Sequence, residues 1–216
     1  VGAAPVQNVG AYGQEIVQVL DSVLAYDLKE EKYVTIKKED MKLGYRSSIF
    51  NHGEDAGRYL IISMTIHLSH DTLTPPFYTS LQNYVEEHQI TDFSPKSIRE
   101  MVTEIRWSKL PKPEEMASSG SFFKNVYLDD AEADRLRGMN VPVWEGNKVP
   151  SGWLIDHAGL KGMVFHGMRV SEKAALILIN ESAQSYAHLK QAREEIVSII
   201  EKKYGLTLQQ EPLELE

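Results

Sequence analysis

Residues 120–125, Gly-Ser-Phe-Phe-Lys-Asn, place one hydroxyl side chain, that of Ser121, between a glycine and two large aromatic residues. A glycine lets another backbone or a ligand approach closely, because it carries no Cβ atom. The two phenylalanines can anchor the turn in a hydrophobic core. The pattern therefore predicts a serine held rigidly at the floor of a pocket. It also suits a turn serine whose hydroxyl bonds to its own backbone.

Other residue types limit the chemistry that the chain can perform. The 216 residues include no cysteine, which excludes disulfides, thiolate catalysis and cysteine-based metal sites. His67 and His70 lie close together at the end of a predicted strand, but no third ligand accompanies them, so we expect no metal site. Neither the Gly-x-Gly-x-x-Gly nor the Walker nucleotide fingerprint occurs.

Composition narrows the range of partners. The net charge of −8 argues against a nucleic-acid surface, which needs a basic patch. No apolar run approaches the roughly 20 residues of a membrane span, and the first residues lack the charged start of a signal peptide. We therefore expect a cytoplasmic protein with neither nucleic-acid partners nor membrane insertion.

The first half of the chain reads as strands followed by one clear helix. Residues 15–28 and 33–36 favour a strand–turn–strand unit, and residues 59–68 predict a further, largely buried strand. Ser94 and Pro95 predict a helix start, and an apolar stripe continues from there to an expected end near Trp107.

The second half begins after a linker rich in Pro, Glu and Ser at residues 111–119, where we place a domain boundary. The predicted elements are helices from 129 to 137, 151 to 159 and 183 to 204, and strands at 175–180 and 206–208. Gly205 is the expected end of the last helix. Because helices and strands alternate irregularly, the predicted fold class is α+β.

Three further motifs accompany the serine motif. They are residues 7–13 (Gln-Asn-Val-Gly-Ala-Tyr-Gly), 45–50 (Tyr-Arg-Ser-Ser-Ile-Phe) and 109–113 (Lys-Leu-Pro-Lys-Pro). In this order and spacing, the four motifs resemble UDP-N-acetylenolpyruvoylglucosamine reductase, the flavoenzyme that completes UDP-N-acetylmuramate for peptidoglycan. The resemblance runs from Val1 to about Glu211.

The resemblance implies a domain organisation. Residues 1–110 would be the second half of an FAD-binding domain of the PCMH type, and residues 111–205 a C-terminal substrate-binding α+β domain. Residues 206–216 would return as a strand to the FAD domain. A further part of the enzyme would precede Val1, so residues 1–216 alone are expected to retain little flavin and to be inactive.

The resemblance also implies three catalytic residues. Reducing an enol ether conjugated to a carboxylate needs a hydride source, a proton donor and a group that stabilises the enolate. Ser121 would donate the proton, and Arg46 and Glu211 would stabilise the enolate. Glu211 fits the family pattern Leu-x-x-Glu after Leu208, although the acidic tail leaves a neighbouring register open.

Binding residues follow from the same resemblance. Contacts to the UDP-sugar are expected from Tyr78, Lys109, Asn125 and Lys161, and Tyr78 indicates the subclass with a mobile tyrosine loop. FAD contacts are expected from Gly2, Ala3, Val6, Gln7, Asn8, Val9, Gly10, Ala11 and Arg106, the last of which suits a structural salt bridge equally well. NADPH would be the hydride donor, a monovalent cation such as potassium could assist, and the enzyme is expected to be a monomer.

Two other functions remain open from the sequence. One is a flavin-free module that binds sugar nucleotides. The other is a different FAD oxidoreductase of the same superfamily. A visible spectrum of the full-length protein, with and without NADPH and UDP-sugar, distinguishes the three.

Overall fold

The structure is a computed structural model that describes residues 2–71, 73–112 and 114–214. The chain divides into two compact units, Val1–Ile105 and Arg106–Glu216. Both combine helices with antiparallel strands, which confirms the predicted α+β class. Within the described residues, no helix is both long and apolar enough to cross a membrane.

The first unit opens with a short helix and a small hairpin, α1 (Ala3–Val6), β1 (Gly10–Ala11) and β2 (Gln14–Glu15). A 3₁₀ turn over Ile16–Gln18 follows. Its start is closed by a capping box, in which the Glu15 and Gln18 side chains each bond to the other residue's backbone.

The unit's main sheet has three antiparallel strands, β3 (Leu20–Asp27), β4 (Lys32–Lys37) and β5 (Tyr59–Ile66), with β3 in the centre. The hairpin of β3 and β4 confirms the predicted strand–turn–strand unit. A 3₁₀ turn over Lys38–Met41 follows β4. One face of the sheet is buried in a core formed by Leu20, Val23, Met41 and Phe50.

The prediction that residues 59–68 are largely buried is wrong. β5 is an edge strand, and the side chains of Leu60 and Ile62 are 56% and 49% exposed. Alternate residues of a strand point to opposite faces. An apolar run therefore implies burial on both faces only where a second layer covers the sheet, and among the described residues the packed core lies on one face.

A charged network closes the β3–β4 hairpin against the start of β5. The buried Asp27 carboxylate accepts hydrogen bonds from Arg58 Nε and Nη2 at 2.9 and 2.6 Å and from the backbone N–H groups of Lys29 and Glu30. The hydrogen bonds from Arg58 hold the pKa of Asp27 well below its usual range.

Two helices complete the first unit, α2 (Thr79–Glu87) and α3 (Pro95–Lys109). They share a core of Leu81, Val85, Met101 and Ile105. The predicted start of α3 is confirmed, because Ser94 Oγ accepts a hydrogen bond from the Ser97 N–H at 3.3 Å. The helix ends at Lys109, slightly beyond the predicted end, and the boundary between the two units falls within it.

The second unit is built on a four-stranded antiparallel sheet in the order β6-β11-β10-β9. A separate pair joins β7 to β8. The strands are β6 (Ala117–Ser121), β7 (Val126–Tyr127), β8 (Lys148–Val149), β9 (Val164–Phe165), β10 (Met168–Val170) and β11 (Ile177–Asn180).

Three helices, all predicted, pack on the second unit's core: α4 (Asp130–Gly138), α5 (Ser151–His157) and α6 (Tyr186–Tyr204). Asp129 caps α4 by accepting a hydrogen bond from the Glu132 N–H at 2.8 Å. Gly205 ends α6 in the left-handed conformation with φ +70°. The fully buried face of α6 consists of Ala192, Ile196 and Ile200.

The strand predicted at residues 206–208 is not formed. Leu206 and Leu208 are buried in the core of the second unit, but their backbone joins no sheet. Pairing begins two residues later, with a bridge between Phe123 and Gln210. The alternating apolar residues therefore reflect burial of one side of an extended segment.

Candidate active site

Ser121 is the last residue of β6, where the sheet edge meets a buried aromatic pair. Its neighbours Phe122 and Phe123 are 4% and 1% exposed, and their rings pack edge to face with centroids 5.0 Å apart. The Phe122 N–H donates to the Leu176 carbonyl at 2.7 Å. The predicted anchoring is therefore present, although the Ser121 side chain itself is exposed.

Gly120 adopts a left-handed backbone conformation, which glycine accepts more readily than other residues. Its φ is +76°, and a Cβ atom added there would meet nothing within 4 Å. Because left-handed φ values are costly for residues with a Cβ, the glycine sets the backbone direction immediately before Ser121.

The carboxyl-terminal segment runs beside the serine motif. The Glu211 N–H donates to the Phe122 carbonyl at 2.8 Å, and the Lys124 N–H donates to the Gln209 carbonyl at the same distance. These two bonds bracket the Phe123–Gln210 bridge. The backbone of Glu211 is thereby fixed to the residue that follows Ser121, so two of the three predicted catalytic residues lie in neighbouring positions of one unit.

Asn125 and Lys161 have partners within the second unit. Asn125 Oδ1 accepts a hydrogen bond from the N–H of the buried Ser151, whose hydroxyl donates to the Lys124 carbonyl at 2.6 Å. This links the serine motif to the start of α5. Lys161 Nζ lies 3.2 Å from Asp156 Oδ2, in an ion pair at the surface.

Lys109 lines a cavity of about 710 Å³ together with Trp107, Lys173 and Asn180. Arg169 also lines it, with its guanidinium bonded to Glu181 at 2.5 Å and to the Gly162 carbonyl. The hydrogen bond to Glu181 raises the pKa of Arg169.

The cavity has the size of a small-molecule site, and its lining mixes basic residues with Glu115, Glu172 and Glu181. The described residues that line it do not include Ser121, Asn125 or Lys161.

Arg46 lies in the first unit, in a loop held by hydrogen bonds. Its backbone has φ +52°, its side chain is half-buried, and its guanidinium lies 5.3 Å from the centre of the Tyr45 ring. Asn51 Nδ2 donates to the Arg46 carbonyl at 3.1 Å, and Ser48 Oγ donates to the Val6 carbonyl at 2.6 Å. The Arg46 loop is therefore tied directly to the segment expected to contact flavin.

Asn8 holds that flavin segment together. It is fully buried with φ +44°, and its Nδ2 donates to Glu15 Oε2 at 2.7 Å and to the Gly44 carbonyl at 3.2 Å. Its Oδ1 accepts from the Val17 N–H at 3.1 Å. The Asn8 side chain thus connects strand β2, the 3₁₀ turn at Val17 and the loop at Gly44.

Two residues of the segment expected to contact flavin leave room for a flat ring. Val9 and Ala11 are exposed and have small side chains, so a planar group can approach them. Gly10, by contrast, is required by its own hairpin, since a Cβ there would lie 3.0 Å from the Gln14 carbonyl and from Glu15 Cγ.

Tyr78 packs on the tip of the same hairpin. Its ring lies edge to face with Tyr12, 6.0 Å between centroids, and a Cβ on Gly13 would lie 3.5 Å from Tyr78 Cδ2. The tyrosine is 49% exposed. Arg106, also expected to contact flavin, is exposed on α3 in the second unit.

Comparison with known proteins identifies the family. Residues 112–214 match the family model of the UDP-N-acetylenolpyruvoylglucosamine reductase C-terminal domain. Reductases of that name match 98% of the chain, with 36% identity in Idiomarina loihiensis, 36% in Neisseria gonorrhoeae and 33% in Pseudomonas aeruginosa. The chain belongs to the UDP-N-acetylenolpyruvoylglucosamine reductase family.

The match covers part of each relative. The chain spans 63%, 63% and 64% of these three proteins, respectively. The crystal structure of UDP-N-acetylenolpyruvylglucosamine reductase from Thermus caldophilus shares the fold, with a TM-score of 0.59 and 19% identity over 98% of this chain and 58% of that one.

The structure of this reductase-family chain also shows residues that the sequence did not single out. Arg193 on α6 bonds to both Gln210 and Glu214, on either side of Glu211. Lys148 Nζ lies 5.3 Å from the ring centre of Trp144, which is 49% exposed. No local sequence pattern links Arg193 to residues 210–214. Among the residues described, no group of three or more His, Asp and Glu could hold a metal ion.

Proposed function

We propose that the protein containing this chain reduces UDP-N-acetylglucosamine enolpyruvate to UDP-N-acetylmuramate, with NADPH as reductant and FAD as cofactor. Membership of the reductase family supports the reaction type. Within the chain, the contact that best supports it is the hydrogen bond from the Glu211 N–H to the Phe122 carbonyl, which fixes a carboxyl-bearing residue next to Ser121.

The reaction adds two hydrogens across one double bond. The π bond of the enol ether breaks, one carbon receives a hydride and its neighbour receives a proton, while NADPH becomes NADP⁺. FAD, when bound, carries the hydride from NADPH to the substrate, because no side chain can deliver one. Ser121 supplies the proton and regains one from solvent.

The chain's own charged residues stabilise the substrate as charge builds up. The enolate forms on the carboxylate side, where the guanidinium of Arg46 can donate two parallel hydrogen bonds. Glu211 shares this role in its protonated form, since a carboxyl beside a substrate carboxylate is driven to hold its proton. Ser121 is suited to proton transfer by its rigid anchor, because a weak acid must be aligned with its acceptor.

Further residues would bind the sugar nucleotide and the flavin. Lys109, which lines the cavity of the second unit, suits a diphosphate as a compact charge, Tyr78 can stack on a ring, and Asn125 and Lys161 complete the contacts. Residues 2–11 would hold the flavin, with the exposed Val9 and Ala11 as the open surface and Asn8 as internal support. Arg106 would contact the flavin's polar edge.

The family's reaction also suggests the oligomeric state and the cellular compartment of the enzyme. The enzyme would act as a monomer in the cytoplasm, where UDP-sugars and NADPH are available, and a monovalent cation such as potassium could assist.

Spectroscopy of the full-length protein tests the proposal. We expect a yellow protein whose visible flavin absorbance is bleached by NADPH and restored by the UDP-sugar under anaerobic conditions. A colourless full-length protein would indicate a sugar-nucleotide binding module instead. Flavin that NADPH bleaches but the UDP-sugar does not restore would indicate another FAD oxidoreductase.

A further inference from the structure

The segment that carries Glu211 is held from two directions. On one side, backbone hydrogen bonds join it to Phe122 and Lys124. On the other side, the Arg193 guanidinium on α6 donates through Nη1 to Gln210 Oε1 and to Glu214 Oε1. Arg193 therefore binds residues on both sides of Glu211.

The bonds around Arg193 form one connected network. Gln210 Nε2 donates to the Pro212 carbonyl and to Glu214 Oε1, both at 2.9 Å. These bonds close residues 210–214 into a compact turn. The Tyr186 hydroxyl at the start of α6 donates to the Glu214 carboxylate, and this bond lowers the pKa of Glu214. Glu214 is therefore ionised at neutral pH and available to pair with Arg193.

Arg193 lies at a largely buried position on a helix that is itself fixed in the core. Its side chain is 19% exposed, less than the 53% of Lys190 one turn earlier, whose ion pair with Glu194 lies at the surface. α6 is itself fixed by its buried face of Ala192, Ile196 and Ile200. A guanidinium on a rigid helix can hold two acceptors at a defined angle, which a lysine ammonium does less well.

We propose that Arg193 is a positioning residue for Glu211. By binding Gln210 and Glu214, it holds the carboxyl-terminal segment against residues 122–124 and so keeps the Glu211 carboxyl beside Ser121. Its effect on turnover rests on the proposed function, whereas its effect on the segment's order does not. Small displacements of a catalytic group are costly, since about 1 Å of misplacement can reduce a rate on the order of 100-fold.

The first test is hydrogen–deuterium exchange in the full-length protein. In Arg193→Ala, we expect the amides of Glu211 and Lys124 to exchange at least about tenfold faster than in wild type, because the backbone hydrogen bonds that they donate to Phe122 and Gln209 open more often. Gln210→Ala should have the same effect without altering α6. Lys190→Ala is the matched control and should leave exchange unchanged. Equal exchange in wild type and in both test variants would overturn the proposal.

The second test asks whether Arg193 acts through Glu211. We expect Arg193→Ala to lower kcat about tenfold with little change in the KM for NADPH, and Arg193→Lys to recover part of that loss. In a Glu211→Gln background, Arg193→Ala should add less than about a twofold loss, because two residues acting through one group are not additive. Full additivity would contradict the positioning role.

The two tests separate the possible failures. If wild-type protein does not reduce the UDP-sugar, the proposed function fails and the exchange experiment alone decides the role of Arg193. If wild type is active and Glu211→Gln is impaired while Arg193→Ala is as active as wild type, the positioning role fails and the proposed function stands.

Discussion

The backbone N–H of Glu211 donates a hydrogen bond to the carbonyl of Phe122 at 2.8 Å, although nearly the whole second unit separates the two residues in sequence. Phe122 follows Ser121 directly and is buried, so a core aromatic residue connects the serine to the carboxyl-terminal segment. The proposed proton donor and one proposed enolate stabiliser are thus held by the same pair of short chain segments.

Replacing Arg46 with methionine should reduce turnover in the full-length protein. We expect a loss in kcat of about 10²- to 10³-fold, because the enolate would lose a preorganised cationic partner. Steady-state oxidation of NADPH in the presence of the UDP-sugar measures it. Arg99→Met, at an exposed position of α3, is the control. Wild-type kcat in Arg46→Met would exclude this role.

Gly120→Ala should destabilise the protein through its backbone alone. With φ +76° and open space around the added methyl group, the expected cost is about 1–2 kcal/mol. Gly138→Ala is a matched control with equally open space and no positive φ, at the end of α4. It should be neutral or slightly stabilising, since alanine favours helices. Urea denaturation compares the two, and equal effects would refute the conformational explanation.

Asp27 should make stability depend on pH in the acid range. Its pKa is lowered in the folded state by the hydrogen bonds from Arg58, so the unfolded state binds its proton at higher pH. This stabilisation is complete above the ordinary value of about 4 and is lost as pH falls below it. Asp27→Asn should therefore lower stability at pH 7 and weaken its dependence on pH below 4.

Urea denaturation at pH 7 and pH 3 provides the measurement for Asp27. Glu30→Gln is the control, because the Glu30 carboxylate lies at the surface, 3.7 Å from Lys32 Nζ. If Asp27→Asn and wild type lost equal stability between the two pH values, the ion pair would not be the cause.

Lys109→Ala should weaken binding of the UDP-sugar. Losing a cationic hydrogen-bond donor to a phosphate should raise the KM about tenfold, with a smaller change in kcat. Lys96→Ala, exposed on the same helix, is the control. An unchanged KM would mean that the cavity of about 710 Å³ does not hold the nucleotide.

Local signals in the sequence predicted most helices of the second unit. Asp129 caps α4 and Gly205 ends α6, because each satisfies helix-end groups within a few residues. By contrast, α2 was not predicted, and its preceding residue Tyr78 makes no side-chain capping bond. The burial of β5 was mispredicted, because burial depends on what covers a sheet and the strand's own pattern cannot show it.

The candidate site depends on contacts between residues far apart in sequence, which the sequence alone does not reveal. The motifs pointed to Ser121, Arg46 and Glu211 through family resemblance. They did not show that the buried Asn8 side chain bonds to Glu15, or that a side chain at position 10 would crowd its own hairpin. Nor did they show that Arg193 binds Gln210. These roles follow from packing, and only coordinates reveal them.

Ser121 provides the most direct test of the central claim. Full-length protein reduced by NADPH should convert UDP-N-acetylglucosamine enolpyruvate to UDP-N-acetylmuramate in a single turnover followed by mass spectrometry. We expect Ser121→Ala to be slower by about 10²- to 10⁴-fold, and Ser119→Ala, in the same strand, to match wild type. A Ser121→Ala protein that forms product as fast as wild type would contradict the assignment of Ser121 as proton donor.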